Sequence, residues 1–419
     1  MKRLALSFLL FFGTLAYAGE SVIYPFQGAP DGALPLAGLV ADSSGNLYGT
    51  TNLGGSGPCQ SSIGAPHGCG TIFELSPDGH GGWSEVILYS FQGGKDGEYP
   101  GASLAVDNLG NLYGVTAGGG NPCPPSCGNI FELAKDGTFT VLFTFKGNSH
   151  GGVPGTGLTI DSDGRLYGTT APLASDDGSV FQFASGKIKT LHTFVGGADG
   201  VFPMSTPIFG PDGNLYGITE SGGTNNAGTL YRLTFNTKWH YKVVYSFPTT
   251  SFGGPRDNLA FDATGNLYGV TYGDHVFQLK QSKSGKWSGK SIHKFSPFSQ
   301  EGDGSNVRGG VAIDASGNLY GLTATGTAKK GYGDGIIYEL VPNGTKWAES
   351  ILYGFGHSGS DGFGPTGQII FGPNSDLFGI TQGGGSGNCG GASCGTVFEF
   401  VPWPGGPAFR ALCEGWGGF

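Results

Sequence analysis

A seven-residue segment recurs along the whole chain and limits what the chain can fold into. It has the form G-N-L-Y-G-x-T, and each copy is followed by a short apolar segment such as TIFEL and then, in the first six repeats, by one such as EVILYSF. Neighbouring copies lie 49 to 65 residues apart, and periods of this size are typical of solenoids, propellers and other arrays. The seven copies begin at Gly45, Gly110, Gly164, Gly213, Gly265, Gly317 and Ser375.

Each repeat contains four short segments with the composition of β-strands. In the first repeat they are GLVAD, NLYGTT, TIFEL and EVILYSF, which we name strands a, b, c and d. Four antiparallel strands in units of about 50 residues describe the blades of a β-propeller. The sequence therefore predicts an all-β fold, a seven-bladed β-propeller with four antiparallel strands per blade.

The two ends of the repeat region predict how the ring closes. A d-type segment, Val22–Phe26, precedes the first complete repeat, and a degenerate one, Phe409–Trp416, follows the last. We expect the N-terminal strand to complete the last blade beside TVFEF, because ring closure removes exposed strand edges. The C-terminal tail would then be spare or would compete for that edge.

Composition agrees with a chain of short strands and tight turns. Glycine accounts for 83 of the 419 residues, and aromatic residues make up 13%. There is no strict glycine triplet, which excludes collagen, and the aromatic content excludes a solvated disordered chain. No window carries a helical apolar stripe free of glycine and proline, so we expect almost no helix.

The first 18 residues have the pattern of a secretory signal peptide. Lys2 and Arg3 precede an apolar run over 4–15, and Ala16-Tyr17-Ala18 offers an A-x-A cleavage site, as such signals require. The apolar run is too short to span a bilayer, which takes about 20 residues. We predict a signal peptide over 1–18, the propeller over 19–402 and a degenerate tail over 403–419. The protein should be secreted, to the cell exterior or surface, with the periplasm as the alternative.

The charge of the chain argues against two kinds of partner. The net charge is −9, and it becomes −11 once Lys2 and Arg3 are removed with the leader. Nucleic acid and anionic membrane surfaces attract basic proteins, so neither is expected to bind. We expect a monomer without a membrane span.

An aspartate stands three residues before the first glycine in most copies of the repeated segment. One interpretation is a ring of calcium ligands, but these turns supply fewer acidic positions than a calcium loop needs. The other is an aspartate that caps a tight turn while the glycine adopts positive φ, which this turn chemistry favours. The residues are Asp42, Asp107, Asp161, Asp262 and Asp314.

A second aspartate recurs in an Asp-Gly pair between strand d of one repeat and strand a of the next. In a propeller this connection lies on the same face as the b-to-c loops, so these carboxylates are candidate ligands for a cation or a sugar near the channel mouth. Asp-Gly is also a strong turn signal by itself, which favours a structural role. The candidates are Asp31, Asp96, Asp199, Asp303 and Asp361.

Tryptophans and histidines also recur at fixed places in strand d. A tryptophan begins the strand in four repeats, and such repetition favours packing between blades over a sugar site. The eight histidines share no metal-binding spacing, and we predict neither a metal nor a cofactor. His192 and His293 stand where other repeats have tyrosine, so we assign them to packing. The tryptophans are Trp83, Trp239, Trp287 and Trp347.

Three pairs of cysteines occupy one place in the repeat, between strands b and c. The second cysteine of each pair directly precedes the glycine before strand c. A structural zinc site needs four converging ligands whereas each loop offers two, and redox pairs usually have the form C-x-x-C. An oxidising compartment favours disulfides. We predict the local pairs Cys59 with Cys69, Cys123 with Cys127, and Cys389 with Cys394, and we leave Cys413 in the tail unassigned.

The combined motif resembles the GloVer-type tandem repeat of bacterial "choice-of-anchor" surface proteins. It comprises GNLYGTT at Gly45, a glycine doublet at Gly54, GTIFEL over Gly70–Leu75 and LYSF over Leu88–Phe91, and the match covers nearly all of 21–402. The glycine doublet and the later tryptophan are also similar to kelch propellers. The resemblance implies an exported repeat protein, often anchored by a C-terminal sorting signal, with no catalytic residues. The tail has no sortase-like motif, so we expect release.

Two functional hypotheses follow. The first is an extracellular binding or scaffold module that holds a glycan or protein on the face of the d-to-a and b-to-c loops. The b-to-c loops are long in the first, second, sixth and seventh repeats, and variable loops on a rigid frame usually carry binding. The alternative is a propeller-type lyase or hydrolase at the channel mouth, with Asp96, Glu98, His150 and Asp199 as candidates.

Overall fold

Thirty short strands and one turn of 3-10 helix make up the described part of the protein. In the computed structural model the described residues are 19–60, 68–120, 127–147, 152–172, 177–248, 252–296, 303–326, 334–356, 361–387, 389 and 393–402. The 3-10 turn spans Gly197–Asp199. The predicted signal peptide and C-terminal tail lie outside the described residues.

The strands are, in chain order, β1 (Gly19–Pro25), β2 (Gly32–Ala33), β3 (Val40–Ala41), β4 (Leu47–Thr51), β5 (Leu53–Gly54), β6 (Thr71–Pro77), β7 (Trp83–Ser90), β8 (Ala105–Val106), β9 (Leu112–Val115), β10 (Asn129–Leu133), β11 (Phe139–Thr144), β12 (Thr159–Ile160), β13 (Leu166–Thr170), β14 (Ser179–Ala184), β15 (Lys187–Thr193), β16 (Ile208–Phe209), β17 (Leu215–Thr219), β18 (Thr229–Phe235), β19 (Trp239–Ser246), β20 (Pro255–Phe261), β21 (Leu267–Thr271), β22 (His275–Gln281), β23 (Trp287–Lys294), β24 (Ser305–Ile313), β25 (Leu319–Thr325), β26 (Ile336–Asn343), β27 (Lys346–Gly354), β28 (Gly362–Phe371), β29 (Leu377–Gly384) and β30 (Thr396–Val401).

Seven antiparallel sheets of four strands each form the blades. Blades 1 to 6 are β3-β4-β6-β7, β8 to β11, β12 to β15, β16 to β19, β20 to β23 and β24 to β27, and blade 7 is β28-β29-β30-β1. Within each blade the strands follow the order a, b, c and d predicted from the repeat. The small strands β2 and β5 pair as an extra two-stranded ladder. The predicted all-β, seven-bladed β-propeller is confirmed.

The N-terminal strand closes the ring. β1 runs antiparallel to β30, with Gly19 opposite Val401 and Pro25 opposite Thr396. It thus supplies strand d of blade 7, while strands a to c come from the C-terminal end of the repeat region. The predicted closure beside TVFEF is confirmed, and it ties the two ends of the propeller together by a ladder of main-chain hydrogen bonds.

The recurring aspartate of the D-x-x-G-N segment organises the a-to-b turn. Asp42 accepts hydrogen bonds from the main-chain N–H groups of Ser44 and Asn46, at 2.8 and 3.0 Å, and from the Tyr48 hydroxyl at 3.1 Å. Burial by itself would raise the pKa of Asp42, but these hydrogen bonds outweigh it and lower the pKa. The turn-capping role is confirmed at all five positions, which are Asp42, Asp107, Asp161, Asp262 and Asp314.

One aromatic contact repeats at every junction between blades. A phenylalanine directly after strand d packs against the aromatic side chain of strand c in the next blade, with ring centroids 4.6 to 5.4 Å apart. Such pairs contribute about 0.5–1.5 kcal/mol each beyond the area they bury. The seven pairs are Phe26 with Phe73, Phe91 with Phe131, Phe145 with Phe181, Phe194 with Tyr231, Phe247 with Phe277, Phe295 with Tyr338 and Phe355 with Phe398.

The second glycine of the repeated segment leaves room for this contact. A β-carbon on Gly269 would lie 2.6 Å from Cζ of Phe277 and 2.9 Å from Cδ2 of Leu259. The strand-c ring lies over the strand-b glycine in all seven blades, at Gly49, Gly114, Gly168, Gly217, Gly269, Gly321 and Gly379.

The recurring tryptophans join neighbouring blades on their outer side. Trp83 packs edge-on against Phe378 with centroids 5.4 Å apart, and Trp239 packs in the same way on Tyr167 at 5.8 Å. Trp287 and Trp347 repeat the contact on Tyr216 and Tyr268. Each indole therefore covers the aromatic residue of the repeated segment in the preceding blade, which confirms the packing role.

Within the described residues no helix has the length and apolar character needed to cross a membrane.

Adding one methyl group beneath a strand-c ring should destabilise the whole ring of blades. Gly269→Ala forces the Phe277 ring out of place, and we expect it to lower the free energy of unfolding by about 1–3 kcal/mol. Gly155→Ala is the control, since its β-carbon would meet only Ala171 Cβ at 3.7 Å and should change stability by less than about 0.5 kcal/mol. Urea denaturation measures both, and equal stability of the two variants would contradict the role given to Gly269.

Candidate functional site

The strands a of all seven blades surround a central cavity of about 330 Å³. In each blade one residue of strand a pairs with the tyrosine or phenylalanine of the repeated segment. The residue four positions before it is equivalent in all seven repeats. We call this set the channel ring. Its members are Leu36, Gly101, Gly155, Met204, Arg256, Arg308 and Thr366. Arg308 and the carboxylate of Asp257 line the cavity itself, whereas Arg256 is buried beside Asp257.

Arg256 is buried, with 6% of its surface exposed. Its Nε donates to Asp257 Oδ2 at 3.1 Å and its Nη1 to Asn306 Oδ1 at 3.3 Å. The guanidinium carbon lies 4.2 Å from the centre of the Tyr272 ring, a distance at which a cation is attracted to an aromatic face. These contacts hold Arg256 in one orientation, and the half-exposed Tyr272 ring extends the site toward solvent.

The main chain beside Arg256 is in an unusual conformation. Asp257 has φ of 58°, in a region that residues other than glycine adopt at a cost on the order of 1–3 kcal/mol. The equivalent residues of blades 6 and 7 are glycines, Gly309 and Gly367, with φ of 76° and 69°. Asp257 Oδ2 accepts a 3.0 Å hydrogen bond from the Gly309 N–H. Blade 5 therefore has a carboxylate where blades 6 and 7 have glycine. This carboxylate orients Arg256 and joins blade 5 to blade 6.

Arg308 lines the cavity and holds the register position in blade 6 that Arg256 holds in blade 5. Burial, followed by the positive charge of Arg256, lowers the pKa of Arg308 from its usual value. Its Nε is buried and has no hydrogen-bond partner among the described residues. The Asp257 carboxylate lines the same cavity and balances one of the two positive charges, which leaves one net positive charge that would favour an anion.

Aligning the seven repeats gives one sequence signal for the two arginines. They stand outside the G-N-L-Y-G-x-T segment, at a position occupied by leucine, glycine, methionine or threonine in the other repeats. Only the structure shows that six of the seven residues at this position, Arg308 among them, line the channel.

The five aspartates predicted as candidate ligands lie away from that cavity. Each accepts hydrogen bonds in its own d-to-a connection, and none is among the described residues that line the cavity. Asp96, for example, accepts from the Tyr89 hydroxyl at 2.5 Å and from the Gln92 N–H at 2.6 Å. The partners on strand d are Tyr24 for Asp31, Tyr89 for Asp96, His192 for Asp199 and Tyr353 for Asp361, while Asp303 accepts from the Ser296 N–H.

At three consecutive junctions the same strand-d side chain also meets a glutamate from the next blade. Between blades 7 and 1, the Tyr24 hydroxyl interacts with both Asp31 and Glu85. Between blades 6 and 7, Tyr353 stands in the same way between Asp361 and Glu20. Burial, then the neighbouring aspartate, raises the pKa of Glu20 to about 7, and the same causes raise the pKa of Glu85 to about 7.

The third such junction, between blades 5 and 6, has histidine in place of tyrosine. Ligand atoms of His293, Asp303 and Glu349 lie within 4.8 Å of one another. Spacing along the chain gave no sign of this group, because its members come from two blades. In blade 3, His192 pairs with Asp199 at 3.0 Å and stacks on Tyr241 with centroids 3.4 Å apart.

Two predicted disulfides are present in the described residues. Cys59 bonds with Cys69, and Cys389 with Cys394. Cys127 is also disulfide-bonded, whereas its predicted partner Cys123 lies outside the described residues. The bridges close the bases of the b-to-c loops on the face where Arg256 begins strand a of blade 5.

The described residues proposed for catalysis lie at two junctions, with Asp96 and Glu98 in one connection and Asp199 in another. Asp96 lies in the connection from blade 1 to blade 2, and Asp199 in the one from blade 3 to blade 4. Glu98 pairs through its main chain with Gly118, and its carboxylate lies 3.1 Å from Cys59 Sγ. His150 lies outside the described residues.

The fold and the repeated motif define a tandem-repeat β-propeller. A model of the Gloeobacter/Verrucomicrobia repeat matches residues 10–208 and 60–278, which together are more than half of the chain. The chain therefore belongs to this repeat family, in agreement with the GloVer-type resemblance of its motif.

Among curated proteins there is no match. Solved structures do match: a protein from Lactobacillus plantarum is 16% identical with a TM-score of 0.51, covering 74% of this chain and 84% of that one. A copper-containing fungal alcohol oxidase is 11% identical with a TM-score of 0.53, covering 91% and 76%. A gluconolactonase from Xanthomonas campestris is 13% identical with a TM-score of 0.42, covering 88% and 98%. Similarity at these identities shows the fold alone.

Neutralising the junction glutamates should stabilise the protein at alkaline pH. Because the pKa of Glu20 and Glu85 is raised to about 7 in the folded chain, each group contributes stability that is fully present below about pH 4.5 and is lost as the pH rises through 7. Glu20→Gln and Glu85→Gln should each raise the free energy of unfolding at pH 8 by about 1 kcal/mol, allowing for partial solvent exposure.

Denaturant titrations of wild type and variants at pH 4.5 and pH 8 measure this difference. At pH 4.5 the variants should match the wild type, since both glutamates are then protonated in the folded chain. A stability difference that is the same at both pH values would show that these carboxyl groups do not titrate as described.

Proposed function

We propose that this protein is an exported binding module that holds an acidic glycan at the loop-face end of its central channel. The site is the part of the cavity wall formed by Arg308 and Asp257, with Arg256 and Tyr272 packed beside them. The observation that carries the proposal is the presence of two arginines on adjacent blades of a chain whose net charge is −9.

The chemistry of the site favours a carboxylate attached to a sugar. A guanidinium binds a carboxylate through two parallel hydrogen bonds, and the Nε of Arg308 has no partner among the described residues. Tyr272 is 48% exposed, and an exposed aromatic ring offers a stacking surface for a sugar ring. One charged anchor and one flat apolar surface suit a uronic acid better than a simple inorganic anion.

The surrounding loops support binding on this face. Strand a of blade 5 starts at Pro255, so Arg256 lies at the end of the channel where the d-to-a and b-to-c loops emerge. The b-to-c loops of the first, second, sixth and seventh repeats are long, and disulfides hold those of blades 1 and 7 at their bases. Longer ligands would therefore contact these loops as well as the channel.

Two further features of the chain support export. The leader-like residues 1–18 and the disulfides both fit an oxidising compartment outside the cytoplasm.

Replacing Arg308 should weaken binding of an acidic oligosaccharide selectively. We expect the wild type to bind an oligogalacturonate and Arg308→Gln to bind it about 10- to 100-fold more weakly, since a hydrogen bond to a charged group contributes about 1.5–3 kcal/mol. Lys187→Gln removes the same charge from an exposed position and should leave affinity unchanged. Isothermal titration calorimetry on the mature chain measures all three.

The methyl ester of the same oligosaccharide tests whether the carboxylate is the group that the protein binds. If the carboxylate is the anchor, the ester should bind the wild type about as weakly as the acid binds Arg308→Gln. Equal affinity for acid and ester, or no binding of either, would refute the proposal. Appearance of shorter or unsaturated products during the titration would favour the lyase or hydrolase alternative.

A further inference from the structure

The junction between blades 5 and 6 gathers three groups that commonly bind metals. His293 lies on β23, Asp303 in the connection to blade 6, and Glu349 on β27. Their ligand atoms lie within 4.8 Å of one another, and His293 Nε2 is 3.4 Å from Glu349 Oε2. All three side chains are partly buried. The group lies at the outer strands and is separate from the channel ring.

These distances suit a small divalent cation. Zinc binds histidine nitrogen and carboxylate oxygen at about 2.0–2.2 Å in tetrahedral geometry, which places neighbouring ligand atoms about 3.4 Å apart. The pair His293 and Glu349 already has that separation, and a carboxylate oxygen of Asp303 lies within 4.8 Å of both. A fourth ligand position would remain for water, as in zinc sites with three protein ligands.

The neighbouring junctions show what is particular about this one. Between blades 6 and 7 and between blades 7 and 1, a tyrosine hydroxyl stands between the two carboxylates. A hydroxyl can donate a hydrogen bond to a carboxylate but is a poor zinc ligand in its neutral form. At the 5/6 junction both carboxylates are kept and the tyrosine is replaced by histidine, whose neutral ring nitrogen is among the commonest metal ligands.

The environment of the ring favours the form that binds metal. Burial lowers the pKa of His293, although the charge of Asp303 opposes this, and nearby His275 lowers it further. The carboxylates of Asp303 and Glu349 face the ring from the connection to blade 6 and from β27. A divalent cation would compensate both charges at once.

We propose that His293, Asp303 and Glu349 form a binding site for a divalent transition-metal ion, of which zinc is the best match, that links blade 5 to blade 6. The imidazole ligand favours zinc over calcium and magnesium, which prefer sites made only of oxygen. The site does not depend on the glycan proposal, since it uses none of the channel residues.

The test is zinc titration of the mature, untagged chain after treatment with chelator. We expect one zinc ion per chain by isothermal titration calorimetry and a Tm that rises with zinc concentration, because a ligand that binds only the folded state stabilises it. His293→Tyr should weaken zinc binding at least about tenfold, since loss of even an outer-shell partner costs 10–100-fold. Calcium at the same concentrations should leave Tm unchanged.

His293→Tyr also controls for folding, because tyrosine is the natural residue at Tyr24 and Tyr353. The variant should keep the Tm of the metal-free wild type. His192→Tyr is the matched control: its histidine has the same place in blade 3 but faces one carboxylate and Tyr241, so zinc binding should be unchanged. Zinc binding that is absent from the wild type, that survives in His293→Tyr, or that is lost in His192→Tyr would overturn the proposal.

Discussion

The contact between a strand-d phenylalanine and the strand-c ring of the next blade is the interaction on which the rest of this propeller depends. All seven phenylalanines are at most 1% exposed, and each main-chain N–H bonds to the residue just before strand c of its own blade. The phenylalanine side chain of one blade therefore fixes the position of the strand-c ring in the next blade. Because the contact also covers the strand-b glycine, the three residue types form one unit that must recur for the circle to close.

This unit explains why so much of the fold could be predicted from the sequence. Glycine, aromatic residue and phenylalanine recur in the same order in every repeat, so strand number, blade number and even closure by the N-terminal strand follow from reading the repeat. Closure was predictable because Phe26 supplies the seventh phenylalanine and pairs with Phe73 of blade 1. The turn aspartates and the tryptophans were predictable for the same reason, since each has one structural task per blade.

The candidate sites were much less predictable, because they occupy positions where the repeats differ. Arg256 and Arg308 do not belong to the motif, and their convergence depends on the bulge that shifts the pairing of strands a and b between Arg256 and Ala260 and between Arg308 and Ala312. The group of His293, Asp303 and Glu349 depends on which strand faces which across a junction. The aspartates of the d-to-a connections were recognised from the sequence, but not their hydrogen bonds to strand d.

The repeats thus contain positions that are nearly the same in every blade and positions that differ from blade to blade. Where the phenylalanine contact is made, every blade carries nearly the same residues, because a change at one junction would disturb the spacing of all the others. Two residues before that phenylalanine the junctions already differ: Tyr24 and Tyr353 meet two carboxylates, Tyr89 stacks on Phe139 with centroids 3.8 Å apart, and His293 joins a potential metal site. The rigid contact allows this variation, since blades held in register by one set of rings can exchange hydrogen bonds, stacking and metal ligands beside it without losing their alignment around the channel.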